Sequence, residues 1–248
     1  MIPFVKGHGL GNDYIVIDNG STDDTPHFFE RFEYAYPLRF ERNPENRSVI
    51  ATLNRAWRLA DTEFLCFLHN DTEMREPAWL ERLVAALGDG RRVGLAGLYG
   101  ARRVRRDGRY VGRTIVHCLE GGPGMAAPVV EVAAVDGVCL CLRRALLDEI
   151  GGFDEGYGFF HGYDRDLSFA VRERGLSCVV VDARFVHRGG GTRTGERAPV
   201  AAAEDLEQRR QAMARFARKW RRRLPSDVRG LPERIFNYIG RRGERASV

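Results

Sequence analysis

Five consecutive apolar residues, Phe64-Leu65-Cys66-Phe67-Leu68, run directly into the polar step His69-Asn70-Asp71-Thr72-Glu73. A run of that length suits a strand buried on both faces and is too short for a helix that buries one. Around it the apolar positions alternate between strand and helix periods. Asp13 to Asp18 predicts a short strand, closed by the turn-forming Asn19-Gly20-Ser21-Thr22-Asp23. Ser21 to Asp24 offers caps for a helix carrying Phe28, Phe29 and Phe32, and Pro37 to Phe40 predicts a second strand. Val49, Leu53, Ala56, Trp57 and Ala60 fall at helical spacing, which predicts an amphipathic helix over residues 45–60. Past the buried strand, Pro77 opens a helix with Leu80, Leu83, Val84 and Leu87 inward, and Val93 to Leu98 predicts a further strand. This alternation predicts one α/β unit with a mostly parallel central sheet.

The remainder is less regular. Gly108 to His117 reads as a short hairpin, and Gly121 to Met125 as a flexible loop without the strand-then-helix setting of a phosphate-binding loop. Val129 to Val132 and Val135 to Leu142 are strand-like, and Arg143 to Ile150 is a short helix closed by Gly151-Gly152. Residues 164–174 predict a helix with Leu167, Ala170 and Val171 inward. Cys178 to Val181 is a strand leading to His187 and a loop of three glycines. From about residue 204 to 223 a basic helix follows, with Met213, Phe216, Ala217 and Trp220 able to dock on the body.

Composition narrows the class. A chain of 248 residues can bury one substantial α/β core. No apolar run reaches the length of a spanning helix, and Met1 to Lys6 lacks the apolar stretch of a secretory signal. The expectation is a cytoplasmic protein, with peripheral attachment to the inner membrane face left open. Cys66, Cys118, Cys139, Cys141 and Cys178 form no CxxC pair and lie mostly in hydrophobic runs, so buried free thiols are expected. The net charge of +5 is concentrated in Arg102, Arg103, Arg105 and Arg106 and in the segment Arg209 to Arg223. Such clusters are solvated surface, or they meet a membrane or lipid-linked substrate. No zinc-finger spacing or RNA-binding aromatic motif supports nucleic acid.

Ligands of open α/β sheets bind outside the carboxyl ends of strands, which is where Asp71 falls. A carboxylate there could hold a divalent cation that in turn holds a diphosphate; the alternative is an Asx turn before the next helix. Asp18, Asp136, Asp154, Asp164 and Asp166 also follow strands or begin helices. Asp164 is read equally as a general base or as an acid favoured by a helix N-terminus. His187 is read as a metal ligand or as a packing residue.

Taken in order, Ile15-Val16-Ile17-Asp18-Asn19-Gly20-Ser21-Thr22-Asp23, Phe67 to Glu73, Gly151-Gly152-Phe153-Asp154-Glu155, Asp164-Arg165-Asp166-Leu167 and Val186-His187 resemble the family 2 glycosyltransferases of GT-A fold. The bacterial rhamnosyltransferase-like branch is the nearest in pattern. The resemblance runs from about residue 14 to 223 and implies a single GT-A-like domain over residues 14–203, an atypical segment over 1–13 and a basic helix and tail over 204–248. It implies inverting transfer from a nucleotide-diphosphate sugar to the hydroxyl of a glycan, lipid-linked or small-molecule acceptor. Asp18 would face the nucleobase, with Asn19 and His69 among the donor contacts. Asp71 and His187 would hold Mg2+ or Mn2+ at the diphosphate. Asp136 and Gly137 would lie beneath sugar or acceptor, with Asp166 nearby, and Asp164 would take the acceptor proton. Tyr163 stands where the family has Glu, and His69 where it has Asn or Asp. A catalytically inactive GT-A-like binding or partner protein is the alternative.

The family ordinarily has a further strand and helix before the segment matching Tyr14 to Asp18. Without that strand, exposed backbone would favour a homodimer by strand pairing. In its place Phe4 to Asp18, including Asn12, resembles the opening of diaminopimelate epimerase, but neither cysteine-containing catalytic motif of that family follows.

Overall fold

The computed structural model describes residues 4–8, 14–33, 37–88, 92–188 and 202–230. Strands β1 (Phe4–His8) and β2 (Tyr14–Asp18) lead through helix α1 (Thr25–Arg31) to β3 (Leu38–Arg42). Helix α2 (Val49–Leu59), β4 (Phe64–Leu68), β5 (Thr72–Met74), α3 (Trp79–Gly88) and β6 (Val93–Gly97) follow. The middle holds β7 (Tyr99–Ala101), β8 (Arg103–Val104), β9 (Ile115–His117), β10 (Val129–Val132), β11 (Ala134–Val135) and β12 (Cys139–Arg143). Then come α4 (Arg144–Ile150), α5 (Tyr163–Glu173), β13 (Ser177–Val181), β14 (Phe185–His187), α6 (Ala202–Lys219) and β15 (Ser226–Asp227).

Eight strands form the main sheet in the order β10-β13-β6-β12-β4-β1-β2-β3. The sheet is mixed, which corrects the mostly parallel expectation. Among the described residues of this sheet only β2–β3 and β6–β13 pair in parallel; β1 with β2 and β4, β12 with β4 and β6, and β10 with β13 are antiparallel. The physical reason is connection length. A parallel neighbour needs a crossover, and residues 9–13 between β1 and β2 are too few for one.

A second correction concerns β1 itself. The sheet does not begin near residue 14, because Phe4–His8 lies between β2 and β4, with Phe4 opposite both Val16 and Leu68. Backbone groups expected to seek a second copy are paired within the chain, and the sheet edges are β3 and β10. Asn12, the three glycines after His187 and the tail beyond residue 230 lie outside the described residues.

Alternation along the strands builds a core on each face. Leu65 and Phe67 of β4 and Leu140 and Leu142 of β12 pack with Ile50 and Leu53 of α2, Leu147 of α4 and Leu167 of α5. Cys66, Cys139 and Cys141 point the other way, toward Leu80, Leu83 and Leu87 of α3. All five cysteines are buried and outside any disulfide. No helix among the described residues is long and apolar enough to cross a membrane.

Local differences from the sequence pattern have identifiable causes. Helix α2 starts at Val49 because Ser48 caps it, accepting the Ala51 N–H at 3.0 Å. The run Val135 to Leu142 breaks at Asp136, since β11 joins a three-stranded sheet with β7 and β9 while β12 joins the main one. Gly97 permits that crossing; a side chain there would collide with Val135 and the Cys139 carbonyl. The expected hairpin becomes a tight turn, with the Arg105 N–H donating to the Arg109 carbonyl at 2.8 Å, before β9 departs. Helix α1 buries no residue; Phe28 stacks on Phe32, Phe29 stacks on Phe40, and Phe29 meets Phe28 and Phe32 edge-on.

Helix α6 is fastened by two acids. Asp154 accepts from Arg215 and Lys219 at 3.0 Å, and Asp166 accepts from Tyr157, Lys219 and Trp220 at 2.8, 2.8 and 2.7 Å. Phe216 meets Phe169 edge-on at 4.9 Å. Burial opposes the Asp154 charge, but the bonds from Arg215 and Lys219 outweigh it and hold its carboxyl below the usual carboxylate range. Asp154→Asn should cost about 1 kcal/mol at neutral pH, the scale of a partly exposed charged pair. A depressed carboxyl contributes fully above its unfolded value of about 4, and the contribution is lost as pH falls through the folded value. Urea unfolding of the unaltered protein and Asp154→Asn at pH 7 and pH 3 should show a gap that narrows at the lower pH.

Candidate active site

Strand β4 is fixed by burial on both faces, so its carboxyl end is a rigid place from which to project side chains. The chain then turns, with the Thr72 N–H donating to the His69 carbonyl at 3.2 Å, and leaves the sheet as β5. Strand β5 pairs antiparallel with β14, setting Thr72 opposite His187. That ribbon brings His187 Nε2 to 3.1 Å from Asp71 Oδ1. His69 Nδ1 lies 3.9 Å from the same oxygen. One possible ligand atom from each of His69, Asp71 and His187 lies within 4.8 Å of the others. The Arg188 N–H donates to the Asp71 carbonyl at 2.9 Å and pins the turn.

The electrostatics of this cluster suit a cation. Burial lowers the His69 pKa to about 4 despite the neighbouring Asp71 charge, so its imidazole is neutral at physiological pH. Its Nε2 is 3.4 Å from the Tyr163 hydroxyl, while Nδ1 is buried without a hydrogen-bond partner. A proton held on Nε2 leaves Nδ1 with a lone pair directed at the cluster. The hydrogen bond between Asp71 and His187 lowers the carboxyl pKa and raises that of the imidazole. A neutral imidazole with an orphaned nitrogen, a carboxylate and a second imidazole fit a divalent ion. Two nitrogens and one oxygen favour Mn2+ over Mg2+ as occupant.

Opposite lie Asp136, Gly137, Tyr163 and Asp164. The break between β11 and β12 sets Asp136, partly buried, at the switch from one sheet to the other, where it accepts the Val138 N–H at 3.3 Å. Burial, and then the Asp164 charge, raise the Asp136 pKa. A side chain at Gly137 would run into the Tyr163 hydroxyl, so glycine is what lets that ring reach His69. Asp164, in the first turn of α5, is 5% exposed, and Arg165 donates to its two oxygens at 3.3 and 3.4 Å. The Arg165 guanidinium lies 4.0 Å above the Tyr110 ring. Burial opposes the Arg165 charge, but Tyr110, Asp164 and Asp136 outweigh it and raise its pKa.

The other sequence candidates sit elsewhere. Asp18 is fully buried at the end of β2, accepting the Ser21 N–H at 2.9 Å, with Arg42 Nε 3.0 Å away. Asn19 donates to Asn46 and the Arg47 carbonyl and accepts from Asn43, the Arg47 N–H and Thr52. Those bonds use its amide to hold the loop before α2. Asp166 is taken up by the anchoring of α6. The structure thus brings together His69, Asp71, Asp136, Gly137, Asp164 and His187, whereas Asn19 and Asp166 serve the scaffold. The contacts of Tyr163 with His69 and of Arg165 with Tyr110 were invisible in the sequence, since neither follows from spacing.

Comparison with known proteins identifies the family and the fold. A family model described as "Glycosyl transferase family 2" matches residues 9–151, and so takes in much of the stretch that resembles the epimerase opening. The O-antigen biosynthesis protein RfbC of Myxococcus xanthus is 29% identical over 164 residues, 60% of this chain and 12% of that protein. The uncharacterized protein y4gI of Sinorhizobium fredii is 27% identical over 227 residues, 84% of this chain and 24% of that one. The chain thus spans a minor part of the length of these relatives. Among solved structures, GalNAc-T7 with UDP, GalNAc and Mn2+ superposes with a TM-score of 0.56 at 16% identity, covering 70% of this chain and 37% of that one. The mannosyltransferase PcManGT from Pyrobaculum calidifontis, in complex with GDP-Man and Mn2+, gives 0.52 at 18% identity, covering 91% and 69%. These likenesses show the fold.

Calorimetric titration with Mn2+ and with Mg2+ should give tighter binding of Mn2+, abolished by Asp71→Ala. Loss of the His69 ligand should cost at least the roughly 10–100-fold typical of an outer-shell partner. Equal Mn2+ affinity in His69→Ala would assign that ring to packing alone.

Proposed function

This chain belongs to glycosyl transferase family 2, and we propose that it transfers a sugar from a nucleotide-diphosphate donor to an acceptor hydroxyl, with inversion. The observation that carries the reading is the His69, Asp71 and His187 cluster at the carboxyl end of β4, with Asp164 at the start of α5 on the opposite side. Asp71 and the two histidines would hold Mn2+ or Mg2+. The cation, when bound, neutralises the departing diphosphate. The names of the superposed structures, which carry UDP or GDP-Man together with Mn2+, support the same donor class.

Asp164 is the general base. The acceptor oxygen attacks the anomeric carbon opposite the diphosphate, the bond from that carbon to the diphosphate oxygen breaks, and the hydroxyl proton passes to the Asp164 carboxylate. Arg165 orients that carboxylate through its two bonds and shields it from Asp136. Asp136 and Gly137 form the floor under sugar and acceptor. Asp18, buried beneath Arg42, marks the nucleobase end of the cleft. Tyr163 occupies the position of the family's first acid and turns its hydroxyl to His69, which couples the start of the base-bearing helix to the cation site. The rhamnosyltransferase-like branch remains the nearest by pattern, and the name of the Myxococcus relative supports a glycan acceptor.

Incubation with UDP-, dTDP- and GDP-sugars and Mn2+, followed by mass spectrometry, should reveal donor loss and a new glycoside of inverted anomeric configuration. Asp164→Asn should bind donor normally and lose roughly 10²–10⁴-fold in turnover, the range for a positioned general base. Full turnover without that carboxylate would rule the mechanism out. Nucleotide binding with no loss of any donor would favour the inactive binding protein instead.

A further inference from the structure

Several basic residues of helix α6 and of the turn that follows it meet two different surroundings. Arg215, Lys219 and Arg223 face the body and are closed on Asp154, Asp166 and Glu173. Arg209 and Arg210 face outward across a groove of about 870 Å³ between this helix and the turn carrying Arg109 and Tyr110. Among the described residues no acid pairs with Arg209. Arg210 reaches Glu207 at 3.4 Å, and Arg109 reaches Asp107 only at 4.0 Å. With Arg165, the groove thus presents four arginines against the two acids Asp107 and Glu207.

Its floor has the opposite character. Leu206, Met213, Ala214 and Ala217 form an apolar stripe along α6, and Leu206 is 58% exposed. An exposed leucine in a charged groove leaves apolar surface wet unless something covers it. The inner end is defined by Tyr110 and Arg165, and Arg165 bonds directly to Asp164. One continuous depression therefore runs from an arginine rim, over an apolar stripe, to the residue that holds the proposed base.

We propose that this groove receives the acceptor, and that the acceptor is a lipid phosphate: an apolar chain bearing a phosphate or diphosphate next to the reacting hydroxyl or its sugar. The assignment rests on the transferase reading above and names the substrate class of that same site. The guanidinium fork matches phosphate oxygens in pairs, and Arg109 on one side and Arg209 and Arg210 on the other line the groove. The stripe takes the first carbons of the chain. A neutral sugar would use neither feature. A nucleic acid would use the arginines but leave the stripe exposed. Within the cluster Arg102 to Arg106, Arg103 turns to Asp227 and Arg105 to Asp107, and the rim of the groove carries Arg109 instead.

Calorimetric titration of the whole chain with octyl phosphate below its micellar concentration tests this, beside octyl glucoside, inorganic phosphate and a short single-stranded oligonucleotide. Octyl phosphate should bind most tightly, and raising the salt concentration should weaken it, because the arginines are exposed. Joint Arg209→Glu and Arg210→Glu substitution should weaken it roughly tenfold or more, and Leu206→Ser should weaken it with both arginines intact. Circular dichroism checks that these surface variants fold. Octyl glucoside or oligonucleotide binding as tightly, inorganic phosphate matching octyl phosphate, or charge reversal without effect would overturn the assignment. UDP and GDP binding in the presence of Mn2+, measured on the unaltered protein, reports on the donor site separately. Nucleotide binding with arginine-independent octyl phosphate binding sinks only the acceptor class. Arginine-dependent binding without any nucleotide affinity sinks the transferase reading.

Discussion

The 3.1 Å approach of His187 to Asp71 is the contact on which the site depends. The two residues are far apart in sequence and meet because the chain leaves β4 as a short strand that β14 pairs with outside the main sheet. Neither half of that ribbon has apolar content enough to hold itself. It is held by β4, which is anchored on both faces by the two cores, and by Phe185 of β14, which is completely buried. Burial of His69 beside the pair removes its proton and supplies a neutral imidazole. Packing thus produces the donor set: a buried strand, a polar end and a returning strand that carries the second histidine.

Helix α5 gives the opposite wall its geometry. Asp164 and Asp166 stand two residues apart and face different environments. Asp164 lies toward Arg165 and the cleft, and Asp166 toward Tyr157, Lys219 and Trp220. Gly162, with a φ of 85°, lets the chain enter the helix from a left-handed turn that a larger residue would resist. Anchoring Asp166 sets the rotation of the first turn and hence the direction of Asp164. Helix α6 therefore joins the scaffold that holds the proposed base, Asp164, while its outer face forms one wall of a groove. The same helix is fixed to the body through Arg215 and Lys219 and carries Arg209 and Arg210 on its groove side.

What was legible in the sequence was local. The apolar run of β4, the helical spacing in α2 and α3, and the acid at a strand end announce themselves within a few residues. The ordered motifs added the family and the GT-A-like fold. What was hidden depends on partners distant in the chain. The antiparallel insertion of β1 is set by pairing to β2 and β4 together. The break at Asp136 arises because neighbouring strands join different sheets. Asn19 and Asp166 looked like ligand contacts since carboxamides and carboxylates at motif positions have the same composition whether they face a substrate or a loop. His69 looked like a substitution in a nucleotide contact, and its burial against Tyr163 beside Asp71 makes it a third candidate ligand.

The central claim is that one chain folds two distant histidines and a strand-end carboxylate into a single cation site. Pulsed electron paramagnetic resonance of bound Mn2+, with the protein labelled with ¹⁵N-histidine, tests it most directly. The account predicts hyperfine coupling to two imidazole nitrogens, one lost in His69→Ala and the other in His187→Ala. Bound Mn2+ without any directly coupled histidine nitrogen would contradict it.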